Sequence, residues 1–243
     1  MRHAFLGDIH GNLEGLRAVL SDIGTQAIDT VLCLGDIVGY GANPAECVEA
    51  IRSAGYDTVA GNHDIAAAGQ LSLAQFNEYA RAAIIWTREH LSQDDKDWLA
   101  NLSLVKHLQG FSIVHSSLDH PEEFNYVDSV LEAAACFARM QNPICVVGHS
   151  HIPLVFIEDD PKSLPRYTLE LAQPIPVEGR MIVNPGSAGQ PRDEDPRASY
   201  CIYDTENEQI TFRRVSYDIA VAASKMRAAG LPELLAFRLE IGR

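Results

Sequence analysis

Eight side chains in this 243-residue chain can bind metal or move protons, and they come in short clusters: Asp8 with His10, Asp36, Asn62 with His63, His115, and His149 with His151. Carboxylates, an amide oxygen and imidazoles, with no thiolate among them, form a donor set that suits Mn, Fe, Zn or Co dications. Asp8 and His10 stand two residues apart, as do His149 and His151. In extended backbone that spacing turns both side chains the same way, so each pair is expected to pinch one locus. A single Gly-Asp or a single histidine is more often a turn or a hydrogen-bonded core residue. Five such clusters in series are hard to produce by chance.

The elements that must position these groups are legible around them. Apolar runs lead into each cluster: His3 to Leu6 before Gly7-Asp8, Val31 to Leu34 before Gly35-Asp36, Thr58 to Ala60 before Gly61-Asn62, Phe111 to Val114 before His115, and Ile144 to Val147 before Gly148-His149. Runs of this length and composition read as buried strands, and the candidate ligands therefore sit at strand carboxyl ends, where layered α/β folds build their sites. Leu13, Leu16, Val19, Leu20 and Ile23 repeat at helical spacing before Gly24, and Asn43-Pro44 opens a second helix that stops near Gly55. Strand, helix and strand in succession imply a parallel sheet.

From Ser72 to about Leu91 the pattern stays helical, Ser92 with Asp95 resembles a capping box, and Ser129 to Met140 reads as another helix. Residues 65–101 thus read as a helical insertion, expected for most of its residues to be a layer packed on the sheet, with a cap that covers the site and selects substrates as the alternative. After His151 the pattern becomes antiparallel, with strands expected at Leu154–Ile157, Tyr167–Leu171, Met181–Val183, Tyr200–Tyr203 and Gln209–Phe212, so a second sheet is expected behind the first. Residues 218–243 read as a helical tail broken at Gly230 and Pro232.

At 47% hydrophobic residues and with no linker-like stretch, residues 1–243 are expected to form one enzyme-sized domain. The balance of 19 basic against 33 acidic residues gives a formal charge of −14, which argues against a surface that binds duplex nucleic acid by neutralising phosphates. Anionic substrates would need bound cations. No run approaches the roughly 18 apolar residues of a membrane span. Five unclustered cysteines do not form a disulfide framework. These features lead to the expectation of a cytoplasmic protein acting away from the membrane.

The ordered series Asp8-x-His10, Gly35-Asp36, Gly61-Asn62-His63-Asp64, His115 and Gly148-His149-Ser150-His151 resembles the calcineurin-like metallophosphoesterase superfamily over residues 3 to about 190. The resemblance implies an α/β fold, a four-layer αββα sandwich of two mixed sheets flanked by helices, with two divalent metal ions between the carboxyl ends of the sheets. Carried over by position, Asp8, His10, Asp36 and His151 hold the first ion. Asp36, Asn62, His115 and His149 hold the second, so Asp36 bridges. The resemblance also makes His63 the catalytic proton donor to the leaving oxygen, a role that suits an imidazole titrating near neutrality. Two dications roughly 3.5 to 4 Å apart can lower the pKa of a water held between them toward about 7, and a direct attack of the resulting hydroxide on phosphorus follows. Asp64 is expected to cap a turn rather than to orient His63.

Protein phosphatases of that superfamily extend the second motif with an aspartate and an arginine. Here those places are Gly39 and Tyr40. The complete Gly-His-x-His motif is similar instead to the bacterial phosphodiesterase branch, as is Asn184-Pro185-Gly186-Ser187 followed by Gln190-Pro191-Arg192. The expectation is a metal-dependent phosphoesterase, foremost a phosphodiesterase, acting on a small phosphorylated substrate of which nucleotides are one class. Asn12, Tyr40 and Arg192 are the candidate substrate contacts, Arg192 because a guanidinium can grip two phosphate oxygens. Dinucleoside polyphosphate hydrolysis and phosphomonoester hydrolysis are the alternatives, ahead of protein dephosphorylation. A non-catalytic scaffold, known among relatives that have lost ligands, is disfavoured because none of the expected ligands is missing.

Overall fold

The computed structural model describes residues 1–243. Two six-stranded sheets face one another. The elements run β1 (Arg2–Leu6), α1 (Leu13–Ile23), β2 (Thr30–Cys33), α2 (Pro44–Ser53), β3 (Asp57–Thr58), α3 (Asn62–Ala67), α4 (Glu78–His90), α5 (Gln93–Ala100), β4 (Val105–His107), β5 (Phe111–Val114), α6 (Val130–Arg139) and β6 (Ile144–Val146). They continue with β7 (Leu154–Glu158), β8 (Arg166–Thr168), β9 (Ile175–Pro176), β10 (Arg180–Asn184), β11 (Ala198–Asp204), β12 (Gln209–Val215), α7 (Ile219–Ala228) and α8 (Glu233–Ile241). The first sheet has the order β3-β2-β1-β11-β12-β9, the second β4-β5-β6-β10-β7-β8. No helix is long and apolar enough to cross a membrane.

Alternation along the strands makes the layers. Ala4 and Leu6 of β1 point outward to α1 and α2, in a core with Leu16, Val19, Val48 and Ile51, whereas Phe5 between them points inward. The inner core joins both sheets: Phe5, Leu32, Cys201 and Ile210 meet Phe111, Ile113, Val146, Val155 and Val183. Cys145, Phe156 and Ile182 face outward again, onto Cys136 and Phe137 of α6. Helix, sheet, sheet and helix therefore stack as four layers, as the resemblance implied.

The allocation of strands differs from a parallel first sheet followed by an antiparallel second. β11 and β12, late in the chain, enter the first sheet beside β1, while β5 and β6 belong to the second, where β5 pairs with β6 and β6 with β10. Each sheet is thus mixed, and the two sheets bring their carboxyl-end loops to one edge. The long helix expected from Ser72 is also divided. A 3₁₀ turn at Leu73–Gln75 ends in the extended Phe76, and Asn77 caps α4 by accepting from the Ala80 N–H. The strand expected at Tyr167–Leu171 is shorter and shifted, Arg166–Thr168.

Residues 65–101 and 218–243 meet in a further core. Ala80 and Ala83 of α4, Ala223 and Met226 of α7, and Leu235 and Leu239 of α8 pack around Tyr40. The insertion and the tail together form a wall beside the motif loops.

Candidate metal centre

Every candidate ligand follows a strand. Asp8 and His10 lie beyond β1, Asp36 beyond β2, Asn62 at the start of α3 after β3, His115 beyond β5, and His149 and His151 beyond β6. These loops are laced together by main-chain bonds, including Asp8 N–H to Gly35 C=O at 3.0 Å, His10 N–H to Asp36 C=O at 2.9 Å and Gly148 N–H to His115 C=O at 2.8 Å. Asp8, His10, Asp36, His149 and His151 all take left-handed conformations, with φ between 49° and 69°. Such values are uncommon for residues other than glycine, and their concentration at one place is the mark of a functional site.

This conformation alters the expected pairing. The two histidines of Gly148-His149-Ser150-His151 do not pinch one locus, because the backbone between them is not extended. His151 joins Asp8, His10 and Asp36, and His149 joins Asp36 and His115. All of these groups are buried. Asp36 belongs to both sets, and a single oxygen makes the junction: its Oδ2 lies 3.4 Å from His10 Nε2 and 3.4 Å from His115 Nε2. Separations of this size are edges that fit around an ion with bonds of about 2.0–2.2 Å.

The donor set fits divalent metal by its hydrogen bonding as well. His10, His115 and His151 direct Nδ1 at the carbonyls of Val38 (3.2 Å), Leu34 (2.8 Å) and Gln190 (2.6 Å). A ring that donates from Nδ1 presents a lone pair at Nε2, the arrangement typical of metal-binding histidine. His10 Nε2 then faces His151 Nε2 at 3.0 Å, and His115 Nε2 faces His149 Nδ1 at 3.2 Å. The lone pairs of His10 and His151, so close, repel unless a cation lies between them. Asn62 adds a buried Oδ1 with no hydrogen-bond partner, an acceptor that costs free energy unless something occupies it.

Burial governs the electrostatics. It raises Asp8 to about 7, against the pull of His115. It also opposes ionisation of Asp36, but His115, His63 and His10 hold that carboxyl well below the usual range. Burial lowers His10 and His151 well below the ordinary imidazole value and takes His149 down to about 3. His115 goes the other way: burial is outweighed by Asp36, and the imidazole rises to about 9. Metal binds to neutral imidazoles and ionised carboxylates, so His10, His149, His151 and Asp36 stand ready while an ion must displace the proton from His115 and from the protonated fraction of Asp8.

His63 lies outside both sets, and packing orients it rather than an acidic partner. Its ring lies 4.7 Å from His10 at 82°, 4.6 Å from Tyr40 at 57° and 5.2 Å from Phe76 at 88°, and the His63 backbone N–H, not the ring, donates to Asp36 Oδ1 at 2.8 Å. Gly39 makes this fit. With φ at +136°, its backbone passes so near that a Cβ would lie 2.6 Å from His63 Nδ1 and 2.8 Å from His10 Nδ1. Asp64 points away from His63 and caps the turn, accepting from Ile37 (2.9 Å), Val38 (3.2 Å) and Gly61 (3.1 Å).

A cavity of about 300 Å³ opens over the cluster, lined by Asp36, Asn62, His63, His149 and His151 together with Tyr40 and Arg192. Gln190 Oε1 accepts from Arg192 Nη2 at 2.9 Å and holds the guanidinium near Tyr40, whose ring lies 5.8 Å from Arg192 Cζ. Asn12 is a correction to the expected substrate contacts. It caps α1 by accepting from Gly15 N–H at 3.0 Å and donates to Gly189 C=O at 2.8 Å, and it does not line the cavity. Asn184 and Ser187 buttress the ligand loops from behind: Asn184 Nδ2 donates to Gly148 C=O at 2.7 Å and Ser187 Oγ to Asp8 C=O at 2.7 Å. Gln190 was read only as part of the motif before Arg192, and Phe76 and the loop at residues 122–126 were not assigned to the site by sequence, because aromatics in loops and turns carry no periodic signal.

The chain is similar to known proteins along its whole length. An uncharacterised protein of Methanocaldococcus jannaschii is 41% identical over 249 residues, spanning 99% of this chain and 98% of its own. The crystal structure of a metallophosphoesterase from Sphaerobacter thermophilus superposes with a TM-score of 0.89 at 43% identity, covering 100% of this chain and 99% of the other. A hypothetical protein of Pyrococcus horikoshii shares the fold, with a TM-score of 0.80 at 21% identity and coverage of 100% and 98%. The family model for the calcineurin-like phosphoesterase superfamily domain matches residues 1–208, a span that contains every one of the clustered ligands. The chain belongs to the calcineurin-like phosphoesterase superfamily.

Proposed function

We propose that this protein hydrolyses small phosphodiesters with two divalent ions, the first held by Asp8, His10, Asp36 and His151 and the second by Asp36, Asn62, His115 and His149. The observation that carries the reading is Asp36 Oδ2, 3.4 Å from an imidazole nitrogen of each set, at the floor of a cavity that also holds His63 and Arg192. When bound, such ions polarise phosphoryl oxygens and lower the pKa of water, so that hydrolysis needs no covalent phosphoenzyme.

The chain's own residues do the rest. Arg192, fixed by Gln190, is the sole arginine or lysine lining the cavity. One guanidinium suits the single negative charge of a diester. His63 is placed to pass a proton to the leaving oxygen from a ring held by Tyr40, Phe76 and Gly39. Burial takes its pKa down to about 4, although Asp36 pulls it up. A substrate anion arriving in the closed cavity favours the charged imidazole, so protonation of His63 is coupled to substrate binding. The aromatic packing leaves its Nδ1 without a partner of its own.

The test is hydrolysis of bis-p-nitrophenyl phosphate by protein stripped of metal and reloaded with Mn²⁺. Removing the shared ligand Asp36, or His149 from the second set, forfeits several kcal/mol of charge stabilisation, so Asp36→Ala and His149→Ala are expected to lose roughly 10³-fold or more in kcat/KM. Activity unchanged by both substitutions would overturn the assignment.

A further inference from the structure

The outer part of the cavity has a chemistry that holding one phosphate does not explain. Phe76 comes to it from the turn before α4, and Phe124 and Tyr126 from the loop after β5. Tyr126 lies flat on His149, with centroids 4.0 Å apart at 15°, yet remains 44% exposed, so the tyrosine is open to a ligand. Glu122 and Glu123 line the same cavity and are exposed. The segment that carries them, a 3₁₀ turn at Pro121–Glu123, is bracketed by His120 and Phe124, both left-handed with φ of 52° and 53°. Two strained residues fix where these carboxylates and the aromatic pair stand.

We propose that Glu122 and Glu123 make the site selective for esters with a single phosphate and a flat heterocyclic group, and exclude oligophosphates. The proposal rests on the phosphoesterase reading above. Aromatic side chains offer sequence-tolerant stacking to any base. A chain of phosphates reaching outward from the metal cluster meets two carboxylates, with Arg192 the one arginine or lysine of the lining; Arg81, whose Nη2 donates to Phe76 C=O at 3.2 Å, and Arg238, close to Arg192, Tyr40 and Tyr126, stand next to the wall on a protein of formal charge −14. A volume of about 300 Å³ also lies at the small end of ligand sites, which run from about 300 to 1,000 Å³.

The test uses the Mn²⁺-loaded protein and two esters that share base and leaving group, the p-nitrophenyl esters of thymidine 5′-monophosphate and thymidine 5′-triphosphate. The monophosphate ester is expected to have the larger kcat/KM by about tenfold or more, and the ratio to narrow with added salt and in E122Q/E123Q. A triphosphate ester turned over equally well, or a ratio unchanged in the double variant, overturns the charge filter. Tyr126→Ala is expected to raise KM for the monophosphate ester by roughly 5- to 100-fold, with Tyr126→Phe restoring it, since a stacked base is worth about 1–3 kcal/mol. An unaltered KM overturns the stacking role. If neither ester is turned over, the phosphoesterase reading falls, and the filter is judged by calorimetric binding of thymidine monophosphate and triphosphate. Tighter binding of the triphosphate then counts against it.

Discussion

Gly39 shows how one missing side chain can shape a site. The protein-phosphatase pattern, from which this motif departs, has an aspartate in that place to orient the catalytic histidine. Here the backbone itself comes so close that a Cβ would stand 2.6 Å from His63 Nδ1. Gly39→Ala is therefore expected to displace both His63 and His10 and to lower kcat/KM by roughly 10²-fold in a protein that remains folded by circular dichroism, because a misplacement of about 1 Å costs that much. Wild-type activity in that variant would remove Gly39 from the explanation. His63→Ala separates proton transfer from metal chemistry. Alkyl esters, with poor leaving groups, are expected to lose about 10²–10⁴-fold, and p-nitrophenyl esters far less; equal losses would exclude the proton-donor role. The ligand candidates were legible in the sequence because five such clusters follow apolar runs in series, although each alone would pass for a turn or a core histidine. Asn12 misled because an asparagine that caps a helix and one that touches substrate look alike in sequence, and only its two hydrogen bonds distinguish them. Tyr126 and Phe76 were silent for the opposite reason: aromatic residues in loops usually signal packing.

At the scale of elements, local pattern gave the strands and helices but not their partners. β1 and β5 are both short buried runs, and nothing in either says that β1 pairs with β11 while β5 pairs with β6. That choice lies in inner and outer cores assembled over long sequence separations. The capping box at Ser92 was readable because its bonds span three residues. A long-range tie of the kind the sequence conceals joins α1 to the first sheet: Asp22 Oδ2 accepts from Tyr200 Oη at 2.6 Å and Arg213 Nε at 2.6 Å. These bonds, Arg213 first, lower the Asp22 pKa. A carboxyl whose pKa is lower folded than unfolded contributes stability above its unfolded value, about 3.9, and loses it as pH falls through the folded value. Asp22→Asn is expected to cost about 1–2 kcal/mol at pH 7 by chemical denaturation, and the difference from wild type to shrink below about pH 4. A gap that stayed constant from pH 7 to pH 3 would show that the ion pair is not its source.

For the whole molecule, the two sheets exist in this arrangement to hold a cluster that is unfavourable by itself. Buried carboxylates, facing imidazole lone pairs and five left-handed residues all oppose folding, and ions that bind only the folded chain offset them. At a concentration about 100 times Kd each ion adds about 2.7 kcal/mol, so two should raise Tm by roughly 10 °C over chelator-treated protein. A Tm indifferent to chelation would mean that the cluster is stable without metal. Mixed sheets, helical walls and the C-terminal pair around Tyr40 then serve one purpose, the fixing of loops at a shared edge. The central claim is that Asp36 joins two ions into one hydrolytic site. It is tested by titrating Mn²⁺ into metal-free protein while counting bound ions and following bis-p-nitrophenyl phosphate hydrolysis in the same sample. Turnover that rises with the second equivalent, saturates at two ions per chain and disappears in Asp36→Ala is the expected result; saturation at one ion, or turnover that survives the loss of Asp36, would contradict it.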